Sequence, residues 1–317
     1  MSVAFVFPGQ GSQTVGMGKA LVDAFPQARA VFEEVDAALS ESLSKVVFEG
    51  PEAELTLTAN AQPALMAVSL AVTRVLESEA GLDLSRDAAF VAGHSLGEYS
   101  ALAAAGSLSL ADTARLLRLR GTAMQKAVPV GEGAMAAILG LEFDAVAEIA
   151  AQAARETGAI VQAANDNGGG QVVISGAKAA VEKAMELAKA AGAKRALPLP
   201  VSAPFHCALM QPAAEAMAEA LAGVEIRAPK APLVANVLAS PISDPADIRR
   251  RLVEQVTGTV RWRESIAFMA GQGVDTFYEL GAGKVLAGLV KRIAASATGV
   301  SVGTPADVES FKNRPQA

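Results

Sequence analysis

Phe90-Val91-Ala92-Gly93-His94-Ser95-Leu96-Gly97-Glu98-Tyr99 passes from apolar to small and polar residues within one short segment. Ala88 to Ala92 is an uninterrupted apolar run, the pattern of a buried strand. It stops at Gly93, and a helix of small residues is predicted from about Leu96 to Ala105. Gly93-His94-Ser95-Leu96-Gly97 thus reads as G-x-S-x-G on a strand-to-helix turn. Glycine at both flanks lets the backbone pass close without a Cβ clash. The serine then projects its Oγ from the tip, and the Leu96 amide points toward any oxyanion formed there. The helix N-terminus adds partial positive charge. A glycine-rich turn with a helix-capping serine is the competing reading; the strand before and the helix after favour a nucleophile.

Working outward, Val3 to Phe7 is a first buried strand, ended by Pro8-Gly9-Gln10-Gly11-Ser12. Helices are predicted over Gln62–Leu76 and Leu110–Ala127. Past Pro129 the order becomes strand Ala134–Leu139, helix Asp144–Glu156, strands Ala159–Ala164 and Gln171–Ser175, helix Ala179–Ala191 and strand Arg195–Leu199. That β-α-β-β-α-β order is ferredoxin-like, and Pro198 and Pro200 suit a short or edge strand. The larger pattern then resumes, with strands near Leu233, Val274 and Val300 and helices between them; the tail from Thr304 is expected to fray in part. The fold class is therefore α/β: a large, parallel-rich, α/β-hydrolase-like domain over 1–128 and 201–317, with a ferredoxin-like α+β subdomain inserted at 129–200. A cleft between them is the natural place for a ligand.

The 317 residues are 51% apolar but only 4% aromatic, so the core is expected to be aliphatic. A net charge of −6 argues against nucleic acid as the main partner. No long uncharged apolar run and no basic leader are present, so neither a membrane span nor a secretory signal is expected. The single cysteine, Cys207, excludes an internal disulfide and fits a cytoplasmic address; no Cys/His cluster suggests a metal. A monomer is expected.

A nucleophilic serine needs a base, and there are two histidines, His94 and His206. On a tight elbow the His94 side chain should point away from Ser95, as a packed or hydrogen-bonded structural residue. His206 is then the candidate base, with Cys207 a small buried neighbour. The loop around Gln10 lacks a nucleotide-binding pattern; its glycines suit exposure of a backbone N–H as an oxyanion donor. Arg115, Arg118 and Arg120 fall on one helix among apolar neighbours. An inward-turned Arg120 needs an anion, no acidic residue lies within a turn of it, and a substrate carboxylate would fit.

Across nearly the whole length, the chain resembles the malonyl-CoA:acyl-carrier-protein transacylases of fatty-acid synthesis and the acyltransferase domains of polyketide synthases. The likeness is carried by Phe7 to Gln13, Gln62-Pro63-Ala64, Gly93 to Tyr99, Arg120-Gly121, Gly133 to Ala137, Gln171 to Gly176, Ser202 to Met210 and Glu279 to Leu286. It implies that Ser95 is acylated, that His206 is its base, and that the backbone amides of Gln10 and Leu96 form the oxyanion hole. It further implies that Arg120 pairs with the malonyl carboxylate, that the main-chain carbonyl of Gln255 orients the histidine in place of an acid, and that Asn167 lines the cleft. The implied partners are malonyl-CoA and acyl-carrier protein, with no bound cofactor. Gly168-Gly169-Gly170 replaces the Ser-Pro-Gly frequent in relatives, implying a more mobile loop. Phe205 stands where many bacterial relatives have serine and, by the pattern in polyketide domains, supports malonyl over methylmalonyl. A serine hydrolase or thioesterase acting on acyl-CoA is the main alternative, and an inactive carrier-binding module a third.

Overall fold

The computed structural model describes residues 2–201 and 203–314; Ser202 and the last three residues of the tail lie outside them. Ten strands form two sheets: β1 (Ser2–Phe7), β2 (Phe90–Gly93), β3 (Gly133–Leu139), β4 (Val161–Asp166), β5 (Gln171–Ala177), β6 (Arg195–Pro198), β7 (Leu233–Ala235), β8 (Ser240–Ile242), β9 (Val274–Leu280) and β10 (Thr298–Val302). The six-stranded sheet has the order β10-β9-β1-β2-β7-β8. Its pairs are parallel except for β7 with β8. On β1, Phe5 and Phe7 face one core, while Ala4 and Val6 face another on the opposite side. Burial on both faces explains why this strand reads as a continuous apolar run.

The four-stranded antiparallel sheet has the order β4-β5-β3-β6, with β6 and its Pro198 on an edge. The helices Phe143–Thr157 and Lys178–Ala190 pack on it through Val146, Ala150, Val181 and Ala184, a separate aliphatic core. Strand β4 also bonds to the segment between the helices Pro245–Thr257 and Trp262–Gly271. Val260 N–H donates to Ala164 O and Asp166 N–H to Val260 O, each at 2.9 Å. The Asn165–Asn167 turn is thereby fixed beside the segment that follows Gln255.

The long helix Thr58–Ala80 runs through the main core and crosses the helix Leu110–Lys126. A Cβ on Gly121 would stand 2.5 Å from Thr58 O, so only glycine after Arg120 allows that approach. The tail, expected to fray in part, carries one further helix. Pro305–Lys312 is a helix with a Thr304/Asp307 capping box, docked through Val308 and Phe311. Residues 14–60, for which no element was predicted, carry the four helices Lys19–Ala24, Pro26–Leu39, Leu43–Glu49 and Glu52–Thr56 and the start of the long one.

Candidate active site

The elbow glycines are set by backbone contact. A Cβ on Gly93 would fall 1.9 Å from the Gly97 carbonyl, and one on Gly97 would fall 2.2 Å from Phe7 O. Strand, turn and helix are thus pressed together on the neighbouring strand β1. Ser95 adopts a left-handed φ of 54°, and so does His206, at 58°. Such positions cost about 1–3 kcal/mol each and persist where the surroundings over-determine them. Asn236, at the end of β7, supplies part of that restraint: its Oδ1 accepts from Ser95 N–H at 2.8 Å and its Nδ2 donates to Gly93 O at 2.7 Å.

Ser95 Oγ lies 2.7 Å from His206 Nε2. His206 Nδ1 lies 2.9 Å from Gln255 O and 3.2 Å from Gly258 O. Carbonyl oxygens only accept, so Nδ1 must carry the proton and Nε2 is left with its lone pair facing Ser95 O–H. Burial, then the nearby Arg120 charge, push the imidazole down to about 3. His206 is therefore neutral across the physiological range.

Arg120, 1% exposed, ends at the same point. Nη1 donates to Gln62 Oε1 at 2.7 Å, Nη2 to Gln255 Oε1 at 2.8 Å and to Ser95 Oγ at 3.2 Å. Its Nε is buried without a partner among the described residues, and its guanidinium stands 5.7 Å from the Tyr99 ring centre. The absence of an acidic residue within a helical turn proves a poor guide. A buried carboxylate, Glu98, accepts from Gln255 Nε2, and so meets Arg120 through one amide.

A cavity of about 510 Å³ opens over these groups, within the range of small-molecule sites. Its lining includes Gln10, Ser95, Leu96, Arg120, Asn167, Phe205 and His206. The amide N–H groups of Gln10 and Leu96 make no hydrogen bond within the described residues, while the Gln10 side chain is held by Thr58 Oγ1 at 2.8 Å. Gln255 does not line the cavity; it lies behind His206, fully buried. Asn167 Oδ1 lies 2.9 Å from His94 Nε2, which gives His94 a partner away from Ser95 Oγ. Gly168, Gly169 and Gly170 all have positive φ, and a Cβ on Gly168 would strike Ile293. Cys207 is buried, its thiol donating to Pro204 O.

Sequence reading did not single out Glu98 or Asn236. Glu98 stood in the quoted elbow, where an acidic residue in a helix's first turn reads as ordinary dipole complementation; Asn236 carries no local signal.

Residues 4–307 match the acyl transferase domain family. Malonyl CoA-acyl carrier protein transacylase of Bacillus subtilis (strain 168) is 49% identical over 97% of this chain and 95% of its own length. The crystal structure of acyl-carrier-protein S-malonyltransferase from Bartonella henselae aligns with a TM-score of 0.95 at 60% identity, covering 98% of each chain. A type II polyketide acyl-carrier protein in complex with its malonyl-transacylase contains a chain with a TM-score of 0.94 and 45% identity, covering 98% of this chain and 99% of that one. With the family match spanning nearly the full length, this chain belongs to the acyl transferase domain family.

Proposed function

We infer that this protein moves a malonyl group from malonyl-CoA to the phosphopantetheine thiol of an acyl-carrier protein through an ester on Ser95, supplying fatty-acid or polyketide synthesis. The observation that carries the reading is the 2.7 Å contact between Ser95 Oγ and the lone-pair nitrogen of His206, beside a buried arginine in one cleft.

As Oγ attacks the thioester carbonyl, its proton passes to His206 Nε2. The oxyanion is held by the Gln10 and Leu96 amides, and one such donor contributes about 3 kcal/mol in the transition state. The C–S bond breaks, and the departing thiolate takes the proton from Nε2. The carrier's thiol then gives its proton to Nε2 and attacks the serine ester, returning Oγ–H. Gln255 O and Gly258 O stabilise the transient imidazolium through Nδ1–H. Arg120 pairs with the free carboxylate of the malonyl group, which must displace its contact to Ser95 Oγ. Pairing that guanidinium also offsets one of the three effects holding His206 down, which are burial, Arg120 and His94, so the base strengthens as substrate binds.

Asn167 and Phe205 line the acyl end of the cleft in this scheme, and the chemistry needs no bound cofactor. The cleft would be shared by a large domain, 1–128 with 201–317, and the inserted unit 129–200. The lone Cys207 fits a cytoplasmic working place. The test is the intact mass of the protein after brief exposure to malonyl-CoA. Wild type should gain one malonyl group and Ser95→Ala none; an adduct of equal yield on the variant would remove Ser95 from the mechanism. Loss of malonyl-CoA at the same rate without a carrier protein would favour a hydrolase.

A further inference from the structure

Beneath the elbow lies a polar cluster that the transfer scheme leaves without a role. Glu98 is 1% exposed. Its Oε1 accepts from Asn236 N–H at 3.3 Å and its Oε2 from Gln255 Nε2. The Gln255 amide has only one workable orientation. Arg120 can only donate, so Gln255 must turn Oε1 toward it and Nε2 toward Glu98. Nε2 also reaches Ser95 O at 3.0 Å. The same residue's main-chain carbonyl accepts from His206. One glutamine thus touches the nucleophile's backbone, the base and the arginine, and Glu98 anchors its side chain.

We propose that Glu98 is a positioning residue for acyl selection: through the Gln255 side-chain amide it anchors the Arg120 guanidinium. This rests on the reading of Ser95 and Arg120 given above. Among the described residues Glu98 is the acidic group that reaches Arg120 through a single intervening amide. Both Glu98 oxygens face N–H donors, the arrangement a carboxylate satisfies and a carboxamide cannot. Burial pushes Glu98 up to about 8, against the pull of Gln255, Asn236 and Arg120. At neutral pH it therefore carries only part of a negative charge, and its hold on Gln255 rests on hydrogen bonding rather than on a full counter-charge. Glu98 touches no reacting atom: Gln255 stands between it and Arg120, and Asn236 between it and the Ser95 amide. Without the carboxylate, Gln255 Nε2 keeps only Ser95 O at 3.0 Å and Asn236 Oδ1 at 3.4 Å, and the acceptor that aims Arg120 at the acyl group is held less firmly.

The experiment compares wild type, Glu98→Gln and Ser95→Ala by quenched intact-mass kinetics with malonyl-CoA and acetyl-CoA, alongside thermal melts. We expect Glu98→Gln to lower the malonyl-to-acetyl ratio of loading rates at least fivefold, whatever its effect on the absolute rates. A residue that merely supports the fold would slow both donors in parallel, and a ratio within twofold of wild type overturns the proposal. If Glu98→Gln does not fold, Gln255→Met removes the same link while keeping the main-chain carbonyl that His206 uses, and the same fivefold criterion applies. A wild type that fails to load, or a Ser95→Ala that loads, would instead refute the assignment of Ser95.

Discussion

Replacing Arg120 with alanine should convert a malonyl-selective site into one that discriminates weakly. The guanidinium is 1% exposed, so a carboxylate paired with it is shielded from water and salt. A hydrogen bond to a charged partner contributes about 1.5–3 kcal/mol. At about 1.4 kcal/mol per factor of ten, the malonyl kcat/KM should fall about 10- to 150-fold. Acetyl-CoA is affected in the opposite sense. In wild type its methyl group faces a buried cation that Gln62 and Gln255 satisfy only in part, since Nε has no partner among the described residues. The variant no longer imposes that mismatch. The malonyl-to-acetyl ratio should therefore fall by more than the malonyl loss alone. Loss of the guanidinium also strands Glu98, so a lower melting temperature is expected, and rates must be read well below it. The assay is single-turnover acylation of Ser95 with each donor, followed by mass. A ratio within twofold of wild type would show that another residue reads the carboxylate.

His206→Ala should slow transfer by about 10²- to 10⁴-fold, the usual contribution of a general base, whereas His94→Ala should act mainly through the lost Asn167 contact and appear in the melting temperature. A dead but well-folded His94 variant beside an active His206 variant would reverse that assignment. Because His206 is held at about 3, below its ordinary 6.5, the unfolded chain binds more protons between those values; its stabilising effect is complete above pH 6.5 and is lost as pH falls toward 3. Melting curves should show that decline, and His206→Ala should flatten it. Exposed Lys284 precedes the helix Val285–Ile293 and exposed Arg292 lies in its last turn; Val285, Leu286 and Leu289 of this helix line the cleft. Reversing both to Glu should weaken transfer to an acidic carrier, more so at low salt, and leave loading of Ser95 from malonyl-CoA nearly unchanged; unaltered carrier dependence would move the docking surface elsewhere.

What could be read from the sequence was what is encoded locally. The elbow is contiguous, its glycines are demanded by neighbours a few residues away, and the strand and helix around it announce themselves by composition. The helices Phe143–Thr157 and Lys178–Ala190 and the strands β3 and β5 were legible because each is long enough to show a period. The helices Lys19–Ala24, Leu43–Glu49 and Glu52–Thr56 are 6, 7 and 5 residues long, too short for any period to appear. The last helix had a signal that was passed over: Thr304-Pro305-Ala306-Asp307 is a capping sequence followed by buried Val308 and Phe311.

The charge balance of the site lay beyond local reading for a different reason. His206 was found by scarcity, since two histidines left little choice. Arg120 was suspected from its apolar neighbours, but its partners Gln62 and Gln255 are 58 and 135 residues away, and Gln255 is 157 from Glu98. A search for an anion along one helix assumes that a buried charge is compensated by direct contact. Here compensation passes through a neutral amide whose orientation is forced by what the arginine can donate. Such a relay leaves two guanidinium edges, Nε and the Ser95-facing side of Nη2, without a strong protein acceptor. A direct Arg–Glu pair would satisfy the cation fully and leave a substrate carboxylate nothing to gain. Holding the acidic group one residue back leaves the arginine in need of an anion, which is the condition for using it to choose an acyl group.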